Sequence, residues 1–86
     1  MADRDRIDDI AASVLEHLRR FPAARDTARG VQGWWLAPDL RDASLAAVEQ
    51  ALWRLVGAGR LAAVAMPDGS TLFARAPDRP GNGQAS

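Results

Sequence analysis

Apolar residues recur every three or four positions in the first part of the chain, which is the spacing of one face of an α-helix. The pattern runs over residues 7–21, and charged residues occupy the opposite face. Pro22 should end this helix, because the residue before a proline disfavours helical backbone angles. The apolar face consists of Ile7, Ile10, Ala11, Val14, Leu18 and Phe21.

A second, shorter helix is predicted within TARGVQGWWL, residues 27–36. Asp26 or Thr27 can cap its first free backbone amides. Val31 and Trp35 lie one turn apart and should pack into the core. Trp34 should lie toward the edge of that face.

The third helix is predicted over residues 43–56, after the turn segment APDLRD. Gly57 and Gly59 should provide its left-handed end, since glycine adopts that conformation without steric cost. The residues expected to face the core are Leu45, Val48, Leu52, Leu55 and Val56.

Two short strands, LAAVAM (residues 61–66) and TLFAR (residues 71–75), flank the turn signal PDGS and predict a β-hairpin. The chain is therefore expected to be mainly α with a small hairpin, an α+β fold. Residues 1–5 are predicted to be a flexible N-terminus, residues 6–75 the folded domain, and residues 76–86 a disordered tail rich in Pro, Gly and polar residues.

Composition narrows the possible chemistry of this 86-residue chain. With no Cys and one His, a disulfide framework and a thiolate metal site are excluded, and no metal or other cofactor is expected. There is also no glycine-rich phosphate loop, nucleophile with an adjacent base, or pair of carboxylates predicted to face a cleft. We therefore expect a protein that is not an enzyme and has no catalytic residues.

Charge and hydropathy bear on location and partners. No apolar run approaches the roughly 20 residues that span a bilayer, and the N-terminal MADRDRIDD is unlike a signal peptide. A cytoplasmic protein without membrane contact is expected. The 11 basic residues, all Arg, balance 11 acidic ones, so there is no overall positive excess for neutralising phosphates.

The stretch VEQALWRLVGAGRL, residues 48–61, is followed by a hairpin with DG at its tip. Together with three helices ahead of the hairpin, it resembles the winged helix-turn-helix family of small bacterial DNA-binding regulators. The resemblance implies a three-helix bundle with an antiparallel wing of two or three strands. It also implies a homodimer that binds double-stranded DNA in transcriptional regulation, with the third helix in the major groove.

The same resemblance assigns roles to individual residues. Arg54 and Gln50 would read bases, because both side chains can form paired hydrogen bonds with base edges. Phosphate contacts would come from Arg41, Ser44 and Arg60, and Ala47 would lie on the outward face of the helix.

A second interpretation of the same fold is a module that binds another protein and no DNA. Exposed Trp residues often dominate interface energy, and Trp34 and Trp53 are the candidates here. The wing is uncharged over LAAVAM, where Ala63 and Ala65 would contribute to the interface. An uncharged edge strand also favours a homodimer or a partner strand.

Overall fold

The computed structural model describes residues 2–77, with side chains from Arg6 onward. Within these residues the chain is an α+β fold of three α-helices and a three-stranded antiparallel sheet, with a short 3-10 turn at Pro38–Leu40. In chain order the elements are α1 (Ala2–Arg20), β1 (Arg25–Asp26), α2 (Ala28–Trp34), α3 (Leu45–Gly57), β2 (Leu61–Ala65) and β3 (Thr71–Arg75).

The first helix begins earlier than its apolar pattern indicates. It starts at Ala2, so the domain boundary drawn at residue 6 falls inside α1. Ile10 and Val14 are fully buried, as predicted, but Phe21 follows the last helical residue and is 55% exposed. At the other end, Ala76 and Pro77 have no regular structure. Residues 78–86 of the predicted tail lie outside the described residues.

Helix α2 has the predicted cap at Thr27. The Thr27 hydroxyl accepts a hydrogen bond from the Gly30 N–H at 3.2 Å, which satisfies one of the free amides at the start of the helix. The alternative candidate, Asp26, lies in β1, and its carboxylate accepts the Thr27 N–H at 2.8 Å. The predicted core positions are confirmed, because Val31 is fully buried and Trp35 is 6% exposed.

Helix α3 begins at Leu45, two residues after the predicted start. The Ser44 hydroxyl accepts the Ala47 N–H at 3.1 Å and acts as the N-cap. Only Gly59 has the left-handed backbone expected at the end of the helix, with φ of 78°. The prediction was wrong for Gly57, which is the last helical residue.

The sheet places β3 in the centre, with β1 and β2 on either side. β2 and β3 form the predicted hairpin, in which Ala63 lies opposite Phe73. Gly69 at its tip has φ of 93°, a conformation that favours glycine. On the other side of β3, β1 pairs through Asp26, which lies opposite Phe73. The third strand of the sheet is therefore β1, from the segment just before α2.

One continuous core joins the helices to the inner face of the sheet. Phe73 is its largest fully buried side chain and connects the hairpin to the helices. The order and packing of the elements are consistent with a winged-helix-like layout. No helix in the described part of the chain is long and apolar enough to cross a membrane.

Candidate functional site

The solvent-facing side of α3 carries little positive charge. Its exposed residues include Ala46, Glu49, Gln50, Trp53 and Arg54, which follow from helical spacing once Val48, Leu52 and Leu55 face the core. This face therefore offers one carboxylate, one amide, one indole and one guanidinium to a partner.

The guanidinium of Arg54 is engaged within the domain. It donates a hydrogen bond to the Asp8 carboxylate of α1 and forms an ion pair with it. Both side chains remain partly exposed, at 49% and 63%. A base contact by Arg54 would therefore compete with Asp8, whose charge offsets that of Arg54.

Trp53 of α3 is half exposed and lies next to the hairpin. Its ring meets the buried Phe73 ring edge-on, with centroids 5.1 Å apart and an interplanar angle of 78°. Such T-shaped pairs are a favoured aromatic geometry. Packing on Phe73 fixes one side of the indole, and 50% of the residue stays exposed.

An open groove beside Trp53 separates α2, α3 and the hairpin. We call it the Trp53 groove. Arg29 and Glu49 place opposite charges along it, while Ser70 and Thr71 contribute hydroxyls from the hairpin. The full lining is Thr27, Ala28, Arg29, Leu45, Glu49, Trp53, Gly69, Ser70, Thr71 and Phe73.

The residues proposed for protein contact fall into different places. Ala65 is exposed and lies opposite Thr71 in the sheet, close to the Trp53 groove. Ala63 is half-buried because it packs against the core next to Phe73, so it offers little contact area. Trp34 is 78% exposed at the end of α2 and is not among the residues lining the groove.

The residues proposed for DNA contact lie at both ends of α3. Arg41 and Ser44 precede the helix and Arg60 follows it, so the 13-residue helix separates them by about 20 Å. Arg60 lines a different groove with residues of α1. Ala47 is half-buried and packs against the core, so only part of its side chain faces outward. Gln50 is exposed, as expected.

Further arginines are paired on the surface of the helices. Arg19 donates two hydrogen bonds to Glu16, at 3.1 and 2.7 Å, which lower the pKa of Glu16 and raise that of Arg19. Arg6 contacts Asp42 at 2.6 Å and lowers the pKa of that carboxyl. These pairs reduce the positive charge that the helical surface presents.

His17 packs against aromatic rings. Its ring stacks on Trp35 with centroids 4.6 Å apart and lies 5.0 Å from Phe21. Burial lowers the pKa of His17, and the positive charge of Arg20 lowers it further. Across residues 6–77 no group of three or more His, Cys, Asp or Glu side chains could hold a metal ion.

Comparison of the chain with protein-family models, with curated proteins and with solved structures finds no match. The most distinctive feature is an indole fixed on one side by Phe73, beside an open groove and an arginine that is already paired.

Proposed function

We propose that this chain is a winged-helix module that binds another protein at the Trp53 groove. The observation that supports the proposal most directly is the position of Trp53. It is half exposed and held by Phe73 on the side of α3 that faces the hairpin. A large aromatic ring that is already fixed loses little conformational freedom on binding, which favours its use as an interface anchor.

The groove suggests the chemistry of the partner. Trp53 and Leu45 supply apolar surface, whereas Arg29 and Glu49 supply one charge of each sign. An interface of this kind combines an apolar centre with a polar rim. We therefore expect a polypeptide segment that places an apolar side chain against Trp53 and polar groups toward Arg29 and Glu49.

The charge of the hairpin argues against tight binding to duplex DNA. From residue 61 to residue 74 it contains no Arg or Lys, and Asp68 lies at its tip. Asp68 is an anion at neutral pH, and hydrogen bonds from Ser70 lower its pKa further. Phosphate neutralisation supplies most of the non-specific affinity for DNA, and an anion at the hairpin tip opposes it.

A second candidate function is the sequence-specific binding of double-stranded DNA by a homodimer in transcriptional regulation. The observation that favours it is that Ser44 caps α3, with Arg41 exposed before the helix and Gln50 exposed within it. A capped helix N-terminus presents backbone amides to phosphates, and glutamine can read adenine. In this candidate Arg54 would have to exchange Asp8 for a base.

The first experiment compares duplex binding with protein binding by the same preparations. Fluorescence polarisation with a random labelled duplex at about 50 and about 200 mM salt measures phosphate contacts through the salt dependence. Quantitative affinity capture then uses the wild type, Trp53→Ala and the matched surface variant Trp34→Ala. A protein retained by the wild type and Trp34→Ala but lost with Trp53→Ala supports the proposal.

The opposite result would support the DNA candidate. Duplex binding that weakens by about tenfold or more between the two salt concentrations, and that is lost with Arg41→Ala but kept with Trp53→Ala, would replace the protein-binding proposal with the DNA candidate. Circular dichroism of each variant separates these results from loss of the fold.

A further inference from the structure

The free edge of β2 provides a second surface. We propose that a second copy of this chain pairs with β2 in antiparallel orientation about a two-fold axis at Ala63, so that two sheets join into one. This inference goes beyond the proposed function and does not depend on it, because it concerns the edge of the sheet opposite to β1.

Two hydrogen bonds define which backbone groups of β2 point outward. Met66 N–H donates to the Ser70 carbonyl at 2.8 Å, and Ala76 N–H donates to the Arg60 carbonyl at 3.1 Å. In an antiparallel ladder, hydrogen-bonded residues alternate along the strand. Residues 62 and 64 therefore turn their backbone groups toward β3, and residues 61, 63 and 65 turn theirs outward.

Within the described residues, the outward edge of β2 pairs with no other strand and carries no charged side chain. Natural edge strands are commonly protected by charged side chains, bulges or a covering element. Residues 61–66 contain no charged side chain, and Pro67 comes only after the strand has ended. Residues 61, 63 and 65 therefore offer their outward N–H and C=O groups to a partner strand.

The residues of β2 complement themselves in one register. With Ala63 opposite Ala63 of the second copy, Leu61 lies opposite Ala65, and the outward amides and carbonyls of these residues pair. Ala62 then lies opposite Val64 in non-hydrogen-bonded pairs, where side chains approach most closely. Val64 is 51% exposed in the single chain, and this contact covers part of its side chain.

The charges at the two ends of β2 favour a second copy in antiparallel orientation. Arg60 precedes the strand and Asp68 follows it. Antiparallel pairing about Ala63 places Arg60 of one copy opposite Met66 of the other, two residues from Asp68, so opposite charges lie at the same end of the paired strands. Parallel pairing would bring like charges together at both ends. Such complementarity contributes more to orientation than to affinity.

The test measures the oligomeric state of the full chain by sedimentation equilibrium across the micromolar range. The wild type should form a concentration-dependent dimer. Ala65→Pro removes an outward N–H from an exposed position without breaking the ladder to β3, and it should raise the dimer dissociation constant by about tenfold or more. Val64→Lys should do the same by placing a charge against Ala62 of the second copy.

Arg41→Ala is the matched control, since Arg41 lies in the turn before α3 and should leave the dimer unchanged. A wild type that stays monomeric at every concentration overturns the proposal and leaves the edge to a strand from a different protein. A dimer of unchanged stability in Val64→Lys also overturns it, by placing the contact elsewhere. Circular dichroism checks that each variant is folded, and Val64→Lys decides the outcome if Ala65→Pro does not fold.

Discussion

Arg54 of α3 donates a hydrogen bond to Asp8 of α1, across 46 positions of sequence. The pair connects the two helices on the surface of the domain, where both side chains are partly exposed. It holds the guanidinium that would otherwise be the principal positive group on the outward face of α3. The contact therefore bears on both stability and charge.

The first prediction concerns the energy of this pair. Partly exposed ion pairs contribute about 0.2 to 1 kcal/mol, so Asp8→Ala and Arg54→Ala should each lower the free energy of unfolding by no more than about 1 kcal/mol. A double-mutant cycle by urea denaturation measures the coupling. The Glu16→Ala variant, which breaks a pair within α1, serves as the control. A coupling energy near zero would show that the pair adds nothing to stability in solution.

The contact between Arg54 and Asp8 could be predicted only in part from the sequence. Helical spacing correctly placed Arg54 on the exposed side of α3, but no local pattern indicates that its partner is Asp8, because the contact depends on how α1 packs against α3. Local chemistry was a better guide at the start of α2, where Thr27 was one of two predicted caps.

The strand β1 illustrates the same limit in the sheet. Its two residues, Arg25 and Asp26, have no apolar alternation of their own. They are extended because they pair with Ala74 and Phe73 of β3, far along the chain. The hairpin could be predicted because its strands and turn are contiguous in sequence. The third strand was foreseen only as an option that the resemblance allowed.

The second prediction separates the two exposed Trp residues by their packing. Trp53→Ala removes the contact with Phe73 and the half of the indole surface that is buried. It should therefore lower the free energy of unfolding by about 2 kcal/mol. Trp34→Ala should cost less than about 0.5 kcal/mol, because Trp34 is 78% exposed. Trp53→Phe, which keeps an aromatic ring near Phe73, should fall between them. Urea denaturation followed by circular dichroism ranks the three, and an equal cost for both Ala variants would contradict the packing described for Trp53.

The third prediction contrasts two glycines of α2. A Cβ added at Gly30 would collide with the Asp26 carboxylate, which is held by the Thr27 N–H. At Gly33 an added Cβ meets no atom within 4 Å. Gly33→Ala should therefore stabilise the protein by up to about 1 kcal/mol through helix propensity, whereas Gly30→Ala should destabilise it by about 1 to 3 kcal/mol.

The cause of that contrast can be tested with a double variant. Asp26→Ala removes all three carboxyl atoms that would collide with the added Cβ, and the single variant measures the separate cost of losing the acceptor of the Thr27 N–H. In this background Gly30→Ala should cost less than in the wild type. Thermal unfolding of all four proteins measures the difference. An unchanged cost would place the strain in the helix backbone rather than at Asp26.

The fourth prediction concerns pH and follows from His17 against Trp35. Burial and Arg20 hold the pKa of His17 below its ordinary value of 6.5, so the unfolded chain binds the proton more readily than the folded protein. Between the two pKa values the free energy of unfolding therefore falls as the pH falls, and this contribution levels off below the folded-state pKa. Above the ordinary value it is fully retained.

Urea denaturation between about pH 8 and about pH 5 measures this slope. His17→Gln should flatten it, because Gln does not titrate. Glu16→Gln should keep it, since the pKa of Glu16 is lowered by Arg19 and that group titrates at a more acidic pH than its ordinary value of 4.5. Stability that rises as the pH drops toward 5 would mean that the folded protein favours protonated His17. In that case the Trp35 ring would have to stabilise the imidazolium by more free energy than burial and the charge of Arg20 cost.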